Sequence, residues 1–433
     1  MDSSWIIYWR YINNLKGEKM HRRNIILIAL VGILLVALLI TFAAGCTTQK
    51  TTTAPVTTTA TQAPPKVIKI GTIMGITGPL SVPSLAFNRG WLFYADKLKE
   101  EGGIKIGNDR YVFEIINEDS KGTAEGASIA ANKLVSQDKV KFIIGAMLES
   151  EIAAIYQVTK PAGVLYGMAN VNIPGHATDV SPDKPLQVRL SIDIPTTIPA
   201  DLDYILKTYP NAKKIAIAAP DIGYEGMIAD CTKDAQARGM SVIFTEKWAW
   251  GTTDFVPTYT RVLNSKPDII LAMNSGQAMD QLKAARQLGF KGPFISNSPL
   301  GADVFVVVVK DPVALTDVLV NSPDIDAPNG FMKELMARWA KKYPNDPFVS
   351  DAIHSYDMPW IIAQAMVKAQ SIEPAAVLAA LETMTTPGDI TTSLGPGYMG
   401  GKNKYGVNRV LYRPLPITRI MNGKMEFIGF YNP

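Results

Sequence analysis

Val67-Ile68-Lys69-Ile70-Gly71-Thr72-Ile73 is the stretch from which the fold can be read. Its apolar residues alternate as a strand requires. A helical pattern follows from Arg89 to Glu100, with Trp91, Ala95 and Leu98 on one face, and Gly102-Gly103 stops it. Working outward, Tyr111 to Ile116 reads as a second strand. Ala124 to Val135 reads as a helix with Ala127, Ala130, Ala131, Leu134 and Val135 inward. Val140 to Ile144 is a short buried strand, a helix runs from Glu151 to about Thr159, and Val164 to Met168 is the next strand. Short apolar strands alternating with helices predict right-handed crossovers and a mostly parallel sheet covered on both faces.

The series starts afresh near Lys213. Lys214 to Ala219 reads as a strand, and Met227 to Arg238 as a helix closed by Gly239. Ser241 to Thr245 and Asp268 to Met273 are strands, and Ala278 to Leu288 is a helix closed by Gly289. Three helical stretches follow: Gly330 to Lys342, Asp351 to Gln370 and Glu373 to Glu382. The end, Arg409 to Phe430, is β-rich, with Asn422-Gly423 as a hairpin turn. Two α/β series predict two lobes. Ligands of open α/β sheets sit at the carboxyl ends of the strands, so a site is expected where those loops converge.

The 433 residues are 47% hydrophobic and 19% charged, enough for a large core and two domains. The N-terminus differs. Lys16, Lys19, Arg22 and Arg23 precede an uncharged run from Ile25 to Gly45, the layout of a secretory signal. Ala43-Ala44-Gly45 before Cys46 resemble a lipobox, with Ala43 standing where Leu is usual. That predicts cleavage and lipidation of Cys46. An uncleaved anchor is the alternative, because the run is long enough to span a bilayer. Translation can start at Met1 or at Met20. Residues 46–66 are rich in Thr, Ala and Pro and read as a flexible tether. Residues 1–45 carry five basic and two acidic side chains, so without them the net charge falls from +4 to +1. Nucleic-acid binding gains no support. Cys231 is left alone and reads as a buried small hydrophobe, without a disulfide.

At this point the chain resembles type I periplasmic binding proteins of the leucine/isoleucine/valine-binding branch, over about Val67 to Phe430. The likeness rests on Ile70-Gly71 to Thr77-Gly78-Pro79-Leu80, on Glu101-Gly102-Gly103-Ile104, and on Glu118-Asp119 with the helix that follows. It continues through Lys139-Val140 to Gly145, Asp221 to Gly226, Gly251-Thr252-Thr253-Asp254-Phe255, Lys266-Pro267-Asp268 and Ser355-Tyr356-Asp357. The resemblance implies a two-lobed Venus-flytrap with three inter-lobe crossovers and a ligand between the lobes. Lobe one is expected over 67–193 plus 322–400, and lobe two over 194–321 plus 401–433. It implies a carrier that captures a small-molecule solute and delivers it to the permease and ATPase subunits of an ABC importer, with no cofactor.

The same likeness implies a pocket. In relatives that bind amino acids, a hydroxyl at the mouth of the third helix holds the ligand carboxylate. Counting from Gly145 through Met147 and Leu148, that seat is Glu149, and a one-residue shift puts Ser150 there; both assignments stay open. Met168, Ala169, Asn170 and Asn172 occupy the loop that gives relatives a carbonyl and a hydroxyl. An early aromatic wall corresponds to Pro83 and is missing. The loop with the ammonium-binding carboxylate has Ser298 instead, and Asp193 is placed to take over or to cap the next helix. Tyr224 corresponds to an aromatic that closes from lobe two, Phe348 covers from lobe one, and Asn274 and Ser275 follow a strand end. Met74, Met147, Met168 and Met273 stand at or near strand ends, as pliable liners or, more simply, as core filling. Trp248 and Trp250 lie beyond another, as cleft or lobe-surface groups. A branched-chain amino acid in the usual orientation fits these departures poorly. A neutral hydrogen-bonding solute or an apolar-bodied organic molecule fits as well or better.

Enzymes are disfavoured. His176 and His354, the two histidines outside the leader, have no metal-ligand spacing, and neither a Gly-x-Ser-x-Gly elbow nor a phosphate loop occurs. A sensory receptor of the same fold is the alternative. It normally continues into transmembrane and signalling segments, and the end at Pro433 favours the carrier.

Overall fold

The computed structural model describes residues 64–432, except 78–80, 170–178, 192–196, 222–223, 250, 274–276, 298–300, 321–329 and 345–349. The predicted leader, Cys46 and the tether therefore lie outside the described residues. The strands are β1 (Lys66–Met74), β2 (Ile104–Ile106), β3 (Asp109–Asp119), β4 (Phe142–Gly145), β5 (Leu165–Met168), β6 (Gln187–Arg189), β7 (Lys214–Pro220) and β8 (Ser241–Trp248). They continue as β9 (Ile269–Met273), β10 (Phe294–Asn297), β11 (Val318–Val320), β12 (Ile390–Thr392), β13 (Gly395–Gly400), β14 (Val410–Tyr412), β15 (Leu415–Met421) and β16 (Lys424–Tyr431).

They form two sheets, ordered β12-β13-β14-β6-β5-β4-β1-β3-β2 and β16-β15-β11-β10-β9-β7-β8. The centre of each is parallel. β1 lies between β3 and β4, with Ile70 facing Ile115 on one side and Phe142 on the other. Its residues from Ile70 onward are buried, because helices cover both faces. Ile68 and Ile70 enter one core with Phe113 and Trp91, whereas Ile73 enters the other with Leu134 and Ile152. β7 divides in the same way, with Ala216 and Ala218 on one side and Ile215, Ile217 and Ala219 on the other. β8 closes one edge of the second sheet in parallel with β7, and antiparallel hairpins finish the other three edges. One is the turn between β15 and β16, where Asn422 and Gly423 both take positive φ, as a tight hairpin demands.

The first helix starts earlier than its pattern suggests, at Ser81, and runs to Glu100. Pro83 stands in its first turn, where a missing N–H costs nothing. This helix packs on the helix Ser350–Ala369 so closely that a Cβ at Gly90 would come within 1.9 Å of Ser355 Oγ. Three helices are absent from the sequence reading, Val256–Asn264, Ala302–Val309 and the short Lys402–Tyr405. The second is rich in valine and suits a strand by propensity. Burial of Ala302, Phe305 and Val309 on one face overrides that preference.

The chain passes between the sheets three times: after β6, after β11 and after β14. The last passage corrects the expected boundary at residue 400. β14 pairs with β6 through Val410 and Arg189, so the chain stays with the first sheet to Tyr412 and crosses at Arg413 and Pro414. Arg413 is buried and pairs with Asp357, which also accepts from Ser393 N–H at 2.9 Å and Ser393 Oγ at 2.8 Å. His354 Nδ1 lies 2.6 Å from the same guanidinium and must accept its proton, so the imidazole is neutral with hydrogen on Nε2. Beyond the crossing, Arg419 donates to Asp317 at 3.0 Å and to the Tyr209 hydroxyl at 2.9 Å, within the second lobe.

Replacing Asp357 by Ala leaves a buried guanidinium without its carboxylate. Urea unfolding should show a loss of about 3–5 kcal/mol. Burial and the Arg413 charge hold the His354 imidazole well below its ordinary range. The unfolded chain therefore binds a proton that the native chain refuses, and stability falls as pH drops below about 6.5. Between pH 6.5 and 5, His354→Asn should reduce the pH slope of unfolding free energy by up to about 1.4 kcal/mol per pH unit. An unchanged slope would remove His354 from this account.

Candidate functional site

In the first lobe four strand ends are tied to one another. β4 and β1 approach so closely that a Cβ at Gly145 would meet the Ile73 carbonyl at 2.1 Å, so only glycine fits. The chain then turns through Ala146, a non-glycine residue at φ 60° whose N–H donates to Ile73 O at 2.8 Å. Gly145 O accepts from Ala169 N–H and from the buried Tyr166 hydroxyl, both at 3.1 Å. Met74 O accepts from Ile76 N–H at 2.9 Å and Ser120 N–H at 3.0 Å. Asp119, ending β3, accepts from Thr77 Oγ1 at 2.5 Å and Lys121 N–H at 2.8 Å. Burial alone would raise its pKa, but these donors outweigh it and hold the carboxyl below the ordinary range.

After Ala146 comes the helix Glu149–Ala162, with Leu148 as its N-cap. Leucine has no side-chain acceptor, and Glu151 fills the role from inside. Its carboxylate is 1% exposed and accepts from Leu148 N–H at 3.0 Å and Ser120 Oγ at 2.5 Å. This is the reciprocal half of a capping box, and it fastens the 146–150 loop from beneath. Glu149 is half-buried and Ser150 exposed on the same turn. The positive end of the helix is thus met by two carboxylates of its own chain. A third anion placed there would face both, with Lys184 within Coulombic reach of Glu149.

Apart from Tyr224, the expected site residues fall into three groups. Met147, Leu148, Glu149 and Ser150 lie together on this loop and first turn, with Met147 and Leu148 half-buried. Met168 and Ala169 have wholly buried side chains, with Met168 in the core between the sheet and its helices. There the Met168 sulfur takes a hydrogen bond from Gln187 at 3.0 Å. Met74 and Met273 are core residues too, so filling rather than lining explains these methionines. Trp248 is likewise buried, edge-on to Phe255 at 5.1 Å. Asn170, Asn172, Asp193, Asn274, Ser275, Ser298 and Phe348 lie outside the described residues, as does Trp250, and so does the side chain of Pro83. Glu151 was missed as a site residue. Its signal was the glutamate at the third position of a helix that follows a strand–turn, hidden because the helix was started at Glu151 itself.

In the second lobe, β7, β9 and β10 run parallel and end at Pro220, Met273 and Asn297. Buried Asn297 donates to Thr197 Oγ1 at 3.2 Å, which ties that end to the helix Ile198–Thr208 just past the first passage. Tyr224 is the N-cap of the helix Glu225–Ala237, half-buried against the second-lobe core, and burial pushes its phenol up to about 12. Among the described residues no three His, Cys, Asp or Glu side chains converge as a metal site.

Two parallel-centred sheets, three passages and loops gathered at strand ends define a two-lobed binding protein of the α/β class. The chain belongs to the periplasmic binding protein family, whose pattern matches residues 67–424. This is a family of binding proteins and not of enzymes. A curated relative, the Leu/Ile/Val-binding protein homolog 8 of Brucella abortus (strain 2308), is 24% identical over 349 residues, 78% of this chain and 85% of that protein. The isoleucine complex of a branched-chain amino acid transporter substrate binding protein from Streptococcus pneumoniae superposes with a TM-score of 0.66 at 18% identity, covering 85% of this chain and all of the other. A solute binding protein of an ABC transporter from Rhodopseudomonas palustris HaA2, in complex with p-hydroxybenzoic acid, gives 0.66 at 19% identity, covering 85% and 97%.

Glu151→Gln keeps the shape of the cap but gives up its charge. Leu148 N–H and Ser120 Oγ then bond a neutral acceptor, and unfolding free energy should fall by about 1–2 kcal/mol, measured by urea denaturation. A neutral result would mean that Glu151 does not fasten the loop.

Proposed function

We propose that this protein is the extracytoplasmic solute receptor of an ABC importer, held to the outer face of the cytoplasmic membrane through a lipid on Cys46. Residues 46–66 are its tether. The observation that carries this reading is the family match over 67–424, with its two parallel-centred sheets and cross-tied first-lobe strand ends. The solute sits between the lobes and contacts both only when they close, so binding favours closure by its differential affinity for the closed form. The permease reads the closed face. The solute leaves unchanged.

The ligand is a small organic molecule. Structural neighbours hold isoleucine and p-hydroxybenzoic acid, so the fold accepts both amino acids and aromatic acids. In this chain the helix start that serves an amino-acid carboxylate in relatives carries Glu149 and buried Glu151, which count against an anion there. The reading is therefore a neutral hydrogen-bonding solute, or an apolar-bodied molecule whose acid, if any, points elsewhere. Selectivity comes from buried hydrogen bonds, because an analogue lacking one partner leaves a desolvated group unpaired at about 1–3 kcal/mol.

A thermal-shift screen over amino acids, amides, polyols and aromatic acids tests this, since binding to the folded state raises the melting temperature. Amides, polyols or aromatics should give the largest shifts; a clear win for leucine or valine would overturn the reading of Glu149 and Ser298. For the anchor, cells fed radiolabelled palmitate should label the wild-type chain and not Cys46→Ser. Equal labelling of both would refute lipidation at Cys46.

A further inference from the structure

An ion pair joins the two lobes through side chains that no strand-end loop contains. Lys404 Nζ lies 2.7 Å from Asp230 Oδ2, with the two side chains 39% and 34% exposed. Lys404 belongs to a short helix, Lys402–Tyr405, between β13 and β14 of the first sheet. That helix is locked to its own lobe. Tyr405 packs against the first-lobe core, and its ring faces the Arg189 guanidinium at 5.1 Å. Arg189 is wholly buried at the end of β6, paired with Asp179, and its N–H donates to Arg409 O at 2.8 Å. Asp230 lies on the helix Glu225–Ala237, which buries Met227, Cys231 and Ala235 in the second-lobe core. Each partner's backbone must therefore move with its own lobe.

Asp234 follows Asp230 by one turn. Burial raises its carboxyl, Asp230 adds to the rise, and Arg238 and Lys404 oppose it, so Lys404 faces two acids on the opposing lobe. We infer that Lys404 is a clasp: by pairing with Asp230 it sets how far the lobes stand apart before any solute arrives. Rotation of one lobe against the other changes this separation, so the pair favours one arrangement over the rest. A half-exposed pair biases such an equilibrium by up to about fivefold, and salt weakens it. Charge reversal turns attraction into repulsion against both acids and should act more strongly.

The test needs no solute. Nitroxide labels go on Cys introduced at Ile129 and Val313, which are 64% and 80% exposed, one on each lobe. The full chain carries Cys46→Ser, and Cys231 is buried and escapes labelling. Electron–electron distance measurements at low salt should show longer and broader distances for Lys404→Glu and a smaller shift in the same direction for Lys404→Gln. Lys404→Glu with Asp230→Lys should return the wild-type distribution, and 0.5 M NaCl should move the wild type toward Lys404→Gln. Wild-type distances in both single variants, or a double variant that stays spread, would overturn the clasp. If the solute reading fails but Lys404→Glu still spreads the lobes, the clasp stands by itself.

Discussion

Parallel pairing at the centre of each sheet is the constraint on which the rest depends. A parallel neighbour cannot be reached by a tight turn, so the chain must leave the sheet, run back as a helix and re-enter. Every such return delivers a loop to the same edge. In the first sheet this gathers the ends of β1, β3, β4 and β5 within hydrogen-bonding reach of one another. The strained turn at Gly145 and Ala146 follows from that crowding, because the β4 backbone passes too close to Ile73 O for any side chain. Strain of this kind persists only where surrounding structure over-determines it, here through the bonds of Ala146, Ala169 and Tyr166.

Charge placement then shapes the start of the third helix. Glu151 spends its carboxylate on Leu148 N–H and Ser120, so the start of the third helix is satisfied from below by the protein itself. Those two bonds fasten the loop from beneath. The buried cluster of Asp357, Arg413, Ser393 and His354 does comparable work at the third passage. It anchors the chain on the first-lobe side of the crossing, and Arg419 with Asp317 and Tyr209 anchors it on the other.

Much of this was legible in the residues. Period-two and period-3.6 patterns located most strands and helices, because core burial imposes them directly. Gly102, Gly239 and Gly289 marked ends correctly, since left-handed positions select glycine. Three kinds of feature were not legible. Val-rich 302–309 became a helix because a tertiary face outweighed local propensity. Met168 and Met273 sit at strand ends yet fill the core, because depth below the loop layer is not a property of sequence position. The third crossing lies beyond residue 400, because the partner of β14 is β6, more than two hundred residues away.

The sequence by itself determined the two α/β series, the leader-like N-terminus and the family, because these rest on local periodicity and on short motifs in a fixed order. Only the tertiary structure decided that Glu151 meets Ser120, that Arg413 is buried against Asp357, and that Lys404 reaches Asp230 in the other lobe. Each of these joins residues whose meeting depends on how helices stack on sheets and how one lobe stands to the other. Such distances follow from packing, and no local pattern along the chain encodes them.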